Sequence, residues 1–96
     1  MFARITQFRM KPEEMDAATS KIEELKPRIL ALPGMQHFIQ VVNEDGNGYV
    51  ISLIDSEAVS NPGDEQIREI WSSFSQYLAA PPEAPMTYRV ISDWEK

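Results

Sequence analysis

The stretch Pro33 to Ser56, PGMQHFIQVVNEDGNGYVISLIDS, constrains the fold of this chain more than any other. Two runs rich in β-branched and aromatic residues flank Asn43-Glu44-Asp45-Gly46-Asn47-Gly48, where two glycines and the Asx residues suit positive φ. The stretch therefore reads as a β-hairpin. Strict alternation puts Met35, His37, Ile39 and Val41 on one face of its first strand and Gln36, Phe38, Gln40 and Val42 on the other. Tyr49, Ile51 and Leu53 alternate with Val50 and Ile54 in the second strand. Both strands are apolar on both sides, so both faces of the sheet are expected to be covered.

The flanking segments place the hairpin in a larger topology. Residues 2–10 have strand composition, with Phe2, Arg4, Thr6, Phe8 and Met10 sharing one face and Ala3, Ile5, Gln7 and Arg9 the other. Pro12 suits a first helical turn, and Glu13, Glu14 and Asp16 complement the positive end of the helix dipole. Met15, Ala18, Ile22, Leu25, Ile29 and Leu32 then recur at spacings of three and four, an amphipathic helix about five turns long. Pro27 lies inside that pattern and predicts a kink or a break into two helices. Pro33-Gly34 ends it. After a loop over 57–63, Asp64 is a candidate N-cap for a second helix whose stripe is Ile67, Ile70, Phe74 and Tyr77, widened by Trp71 and Leu78. The prolines between Ala79 and Pro85 stop it, and Met86 to Trp94 reads as a last strand with Met86, Tyr88, Val90 and Trp94 on one face.

Strand, helix, strand, strand, helix, strand is the split βαβ order of a ferredoxin-like α+β fold. It predicts a four-stranded antiparallel sheet with both helices on one face, in a single domain over residues 1–96. Two helices cover one side only, while Phe2, Phe8, Tyr49 and Trp94 are costly to leave in water. A second copy packed on the bare face is the economical solution, so a homodimer is expected.

Composition narrows the function. The 96 residues include no cysteine, which removes disulfides, thiolate chemistry and most structural zinc sites. A formal net charge of −6 disfavours a surface that follows phosphates, so nucleic acid is not an expected partner. No apolar run reaches the roughly 18 residues of a membrane span, and Met1 leads directly into a strand pattern without an apolar signal core. A cytoplasmic location is the resulting expectation.

Three features, the strand running into Met10-Lys11-Pro12, Pro33-Gly34-Met35 before a strand, and Leu53-Ile54-Asp55-Ser56-Glu57 closing the hairpin, give the chain a wider likeness. From Met1 to Trp94 it resembles the antibiotic biosynthesis monooxygenase-like group of dimeric α+β barrels. That resemblance implies a homodimer with sheets packed face to face. It also implies either oxidation of a small phenol or quinol by molecular oxygen without metal or cofactor, haem degradation, or no activity. In the quinol-oxidising type a helical Trp and a Tyr six positions later line the cavity, and Trp71 and Tyr77 have that spacing. Ile67 stands where that type has an Asn, and Arg89 matches its basic last-strand residue loosely. The haem-degrading type has an Asn on the first strand and a His about ten positions after the Trp. Arg4-Ile5-Thr6 has no Asn, and Pro81 occupies the His position, so haem degradation is disfavoured.

Among chemistry-bearing residues, His37 is the sole histidine, the residue type that ordinarily exchanges protons near neutrality. It is the candidate base, against a plain reading as an exposed strand residue. Trp71 and Tyr77 are candidate walls for a flat aromatic ligand, although aromatics at that spacing usually belong to a core. Arg89 is the candidate partner of a phenolate or enolate, and Tyr88 a further binding candidate. The enzyme reading depends on whether Trp71, Tyr77 and His37 surround one cavity. Asn43 to Ile54 imitates a calcium loop, but its twelfth position is Ile54 rather than a bidentate Glu, so no metal is expected. Glu13-Glu14, Glu23-Glu24 and Asp64-Glu65 are sequence neighbours that diverge on a helix and make poor carboxylate pairs. Neither a phosphate loop nor a nucleophile elbow occurs. The leading expectation is a cofactor-independent monooxygenase acting on a small aromatic or quinol. The alternative is a non-catalytic small-molecule-binding or regulatory dimer of the same fold; an RNA-binding sheet is a remote third.

Overall fold

The structure, a computed structural model, describes residues 1–55 and 65–96. Strand β1 (Phe2–Arg9) leads through a short 3-10 turn (Pro12–Glu14) into helix α1 (Met15–Leu30). Strands β2 (Met35–Val42) and β3 (Asn47–Ile54) form the hairpin. Helix α2 (Glu65–Phe74) continues into a second 3-10 turn (Ser75–Tyr77), and β4 spans Met86–Arg89. The sheet is antiparallel with strand order β2-β3-β1-β4, the ferredoxin-like arrangement. The expected loop at 57–63 and the Asp64 cap lie outside the described residues.

Register decides what each face carries. Phe2, Arg4, Thr6 and Phe8 of β1 stand opposite Ile54, Ser52, Val50 and Gly48 of β3, and all of these share the helix side. Phe8, Met10, Ala18, Leu25, Ile29, Phe74 and Leu78 form the core there, drawn from β1, both helices and the segment after α2. Each large side chain of that set contributes roughly 1.5–3 kcal/mol by leaving water. The 3-10 turn after α2 is tied to the end of β1, where Lys11 N–H donates to the Tyr77 carbonyl (2.8 Å) and Ala79 N–H to that of Arg9 (2.8 Å). These bonds hold α2 over the sheet. The exposed Arg28–Glu69 pair between the helices, at 3.4 Å, adds little by comparison.

Four local expectations change. Helix α1 does not break at Pro27, which lies within its bounds. Pro27 and Glu23, whose carbonyl loses its helical donor, both lie on the exposed side, where water replaces the missing bond. A register shift between Met35 and His37 moves Met35 to the helix side, where it packs against the core, and leaves His37, Ile39 and Val41 on the opposite face. The last strand ends at Arg89, and Trp94 lies beyond it at 90% exposure. The second helix is α-helical only to Phe74, with Tyr77 in the tighter turn that follows.

The hairpin turn is built as its composition predicts. Asn43 Oδ1 accepts from the N–H groups of Asp45 (3.0 Å) and Asn47 (3.1 Å), and Gly46 takes φ +88°. Gly46 also offers its carbonyl to Met10 N–H (2.7 Å), so the turn anchors the end of β1. A Cβ at Gly46 would collide with the Met10 carbonyl, in addition to the cost of positive φ. Gly46→Ala is therefore expected to lower the unfolding free energy by about 2 kcal/mol or more. An equilibrium urea titration showing an unchanged midpoint would contradict this turn geometry.

Candidate functional site

The sheet face beneath the helices is less apolar than a core face normally is. Across one row of the sheet lie Phe38, Ser52, Arg4 and Thr87; across the next lie Gln40, Val50 and Thr6. Arg4 and Thr6 are each 7% exposed. Strand pleating forces this outcome, because a residue two positions from Phe8 must share its face. A charged side chain so deeply covered is uncommon and is normally held by polar partners.

Above this polar floor is a partly open cavity of about 80 Å³. Its floor is Arg4, Thr6, Gln40, Ser52, Phe38 and Val50; its roof is Ile67, Ile70, Trp71 and Phe74 of α2, with Ile22 and Ile29 of α1 at the side. Trp71 reaches Phe8, with ring centroids 6.4 Å apart and planes tilted by 53°. Arg4 is the only charged side chain among the described lining residues. The arrangement suits a flat, electron-rich ring that stacks on aromatic and aliphatic walls and places one oxygen toward the guanidinium. Among the described residues no cluster of His, Asp and Glu could hold a metal ion.

The sequence-predicted site residues do not surround one cavity. Trp71 lines it. Tyr77 stands just outside the lining, half-buried, its ring edge-on to Phe74 at 6.2 Å. His37, opposite Leu53 on β3, lies exposed on the far face, so the sheet separates it from Trp71. Tyr88 also lies on the far face, opposite Ala3, with its hydroxyl donating to Met86 Sδ at 3.5 Å. Arg89 has helix-side register opposite Phe2 but is exposed at the end of β4 and does not line the cavity. Arg4, Thr6, Gln40 and Ser52 were not singled out as site residues. A signal for the first two existed: both interrupt the apolar face that contains Phe2, Phe8 and Met10.

The far face carries Ile5, Ile39, Val41, Tyr49, Ile51 and Leu53, together with Met86 and Tyr88 of β4. Several remain substantially exposed, including Tyr49 at 45% and Met86 at 59%. It is a largely apolar surface, with His37 at its β2 edge and Gln7, Arg9 and Asn47 toward the hairpin turn.

No protein-family model matches this chain, and no curated protein matches it significantly. Solved structures do. A Bordetella bronchiseptica chain provisionally named an antibiotic biosynthesis monooxygenase superimposes with a TM-score of 0.79 at 8% identity, over 95% of this chain and 97% of that one. A Caulobacter crescentus chain with the same provisional name gives 0.74 at 12% identity, over 95% and 90%. A Nitrosomonas europaea protein of unknown function gives 0.76 at 13% identity, over 99% and 93%. The fold is thus that of the antibiotic biosynthesis monooxygenase-like group. At these identities the likeness extends to the backbone and carries no assignment of chemistry. Among the described residues no helix is long and apolar enough to cross a membrane.

Proposed function

We propose that the chain is a cofactor-independent monooxygenase whose helix-side cavity takes a small phenol or quinol and allows it to react with molecular oxygen. The observation that carries this reading is the buried Arg4 guanidinium on the polar floor of a cavity roofed by Trp71. A guanidinium in a dry site favours the ionised form of a phenol, whose proton leaves to solvent as the ligand binds. The resulting anion is rich enough in electrons to pass one to oxygen. Spin pairing and recombination form a carbon–oxygen bond. At a ring carbon that carries hydrogen, the peroxide takes a proton from solvent, and loss of water from the resulting hydroperoxide leaves a carbonyl, with one oxygen atom in the product and the other in water. Trp71 and the aliphatic walls orient the ring and exclude solvent. Arg4 takes the charge-stabilising part first considered for Arg89, and the reaction assigns no proton transfer to His37.

The provisional monooxygenase names of the Bordetella and Caulobacter neighbours agree with this chemistry without extending it to this chain. The alternative, a binding or regulatory protein without turnover, is favoured by one specific observation. Among the described lining residues there is no carboxylate, histidine or tyrosine to act as a base. Oxygen-electrode measurements over a panel of single-ring hydroquinones and alkylphenols separate the two. Uptake is expected, with Arg4→Met lowering it at least about 100-fold, Arg4→Lys retaining part of it, and His37→Ala unchanged within about two-fold. Saturable binding without uptake would establish the alternative; uptake that depends on His37 and not on Arg4 would refute the assigned cavity.

The apolar far face supports a homodimer formed sheet to sheet, with His37 and Tyr88 at the contact. Sedimentation is expected to give twice the 11.0 kDa chain mass at micromolar concentration. Ile39→Glu with Val41→Glu should shift it to the monomer by burying charge in the contact. A wild-type monomer would exclude the pairing.

A further inference from the structure

The cavity does not end at its own walls. Ile22, Ile29, Phe38 and Gln40 line it and also line a second hollow, of about 330 Å³, between α1 and the inner side of the edge strand β2. The further walls of this groove are mostly apolar: Met10, Met15, Ala18, Leu30 and Val42, with Thr19 beside them. Its two charged members, Glu23 and Lys26, are exposed at the helix rim, one turn apart. Because β2 is the last strand on that side, the groove opens to solvent where the sheet ends.

The two volumes set a limit on ligand shape. A cavity of roughly 150 Å³ is what an engineered core needs to admit benzene. The inner cavity, at about 80 Å³, has room for at most one ring, and only with movement of its walls. A fused polycyclic substrate has no place there. The adjoining groove is about four times larger and follows α1 from Met15 to Leu30, with its polar groups confined to the exposed rim (Thr19, Glu23 and Lys26) and the wall shared with the cavity (Gln40). Its two thioethers are unbranched and adaptable, a property suited to a flexible aliphatic chain.

We infer that the ligand is a single-ring phenol or quinol bearing an alkyl or isoprenoid chain, with the ring between Arg4 and Trp71 and the chain in the groove between α1 and β2. The inference rests on the proposed function for the ring and adds the groove as the determinant of substrate class. The occupant is assigned by adjacency: the groove and the cavity share Ile22, Ile29, Phe38 and Gln40 as walls, so a chain attached to the ring meets the groove first. A chain seated there leaves through the open β2 edge, which is also the route of entry.

The test is equilibrium binding of 4-alkylphenols, from methyl to octyl, measured by titration calorimetry on the intact protein. Affinity is expected to rise by up to about four-fold for each added methylene until the groove is filled. Thr19→Phe, at an exposed helix position lining the groove, should flatten that rise while leaving 4-methylphenol binding unchanged. Val42→Lys, on the strand side, should do the same should the first variant fold poorly. Trp71→Ala should weaken the whole series about equally. Binding of 4-methylphenol with no dependence on chain length would overturn the groove assignment while leaving the cavity intact. Dependence on chain length without any effect of Trp71→Ala would separate groove from cavity and also overturn it. Failure of every member to bind would refute both readings. Groove variants that alter sedimentation instead of affinity would make this hollow a contact between subunits.

Discussion

The antiparallel register of β1 against β3 governs the rest of this structure. It is the central pairing of the sheet, and it sets Arg4 against Ser52, Thr6 against Val50 and Phe8 against Gly48 on one face. A shift by one residue would carry Arg4 and Thr6 to the far face and bring Ile5 and Gln7 beneath the helices. The register is held where β1 meets the hairpin turn. Gly46 receives the Met10 N–H, and two residues along the ladder Gly48 leaves space for the Phe8 ring, which any Cβ there would strike. A polar floor under α2 is therefore a product of strand pairing as much as of residue choice.

The sheet consequently keeps two kinds of surface apart. Its helix side joins a small cavity, a buried cation and the indole of Trp71. Its far side carries aliphatic residues, Tyr49, Tyr88 and His37, with Gln7, Arg9 and Asn47 toward the hairpin turn. The first surface suits a ligand because it combines partial enclosure with one directed charge. The second suits an apolar partner because its apolar side chains come from all four strands and several of them are exposed. The thickness of one sheet means that a residue can serve one of these surfaces and not the other, which is why the side taken by His37 matters so much for mechanism.

Much of the fold was legible because periodicity reports burial directly. The even residues of β1, the stripe from Met15 to Ile29, and the glycine-rich turn each behave as their spacing requires. The departures have local causes. A bulge at Gln36 removed one step of alternation, so Met35 and His37 parted company although two positions separate them. Pro27 was tolerated because the carbonyl it strands faces water. Trp94 has the composition of a strand residue, but pairing of β4 stops at Arg89. The site was harder to read. Titratable and aromatic residues attract notice wherever they fall, and His37, Tyr88 and Arg89 fall on exposed positions. Arg4 and Thr6 look ordinary in a strand until the face they occupy is known to lie under two helices. Gln40 and Ser52 become significant only through cross-strand partners that spacing alone does not identify.

The measurement closest to the central claim is a two-dimensional amide NMR titration with 4-methylphenol, followed residue by residue. The account predicts shifts concentrated at Thr6, Gln40, Val50, Ser52 and Ile70, the floor and roof of the helix-side cavity, with the Trp71 indole N–H moving as well. Shifts concentrated instead at His37, Ile39, Val41 and Tyr88 would place the ligand on the far face of the sheet and contradict it.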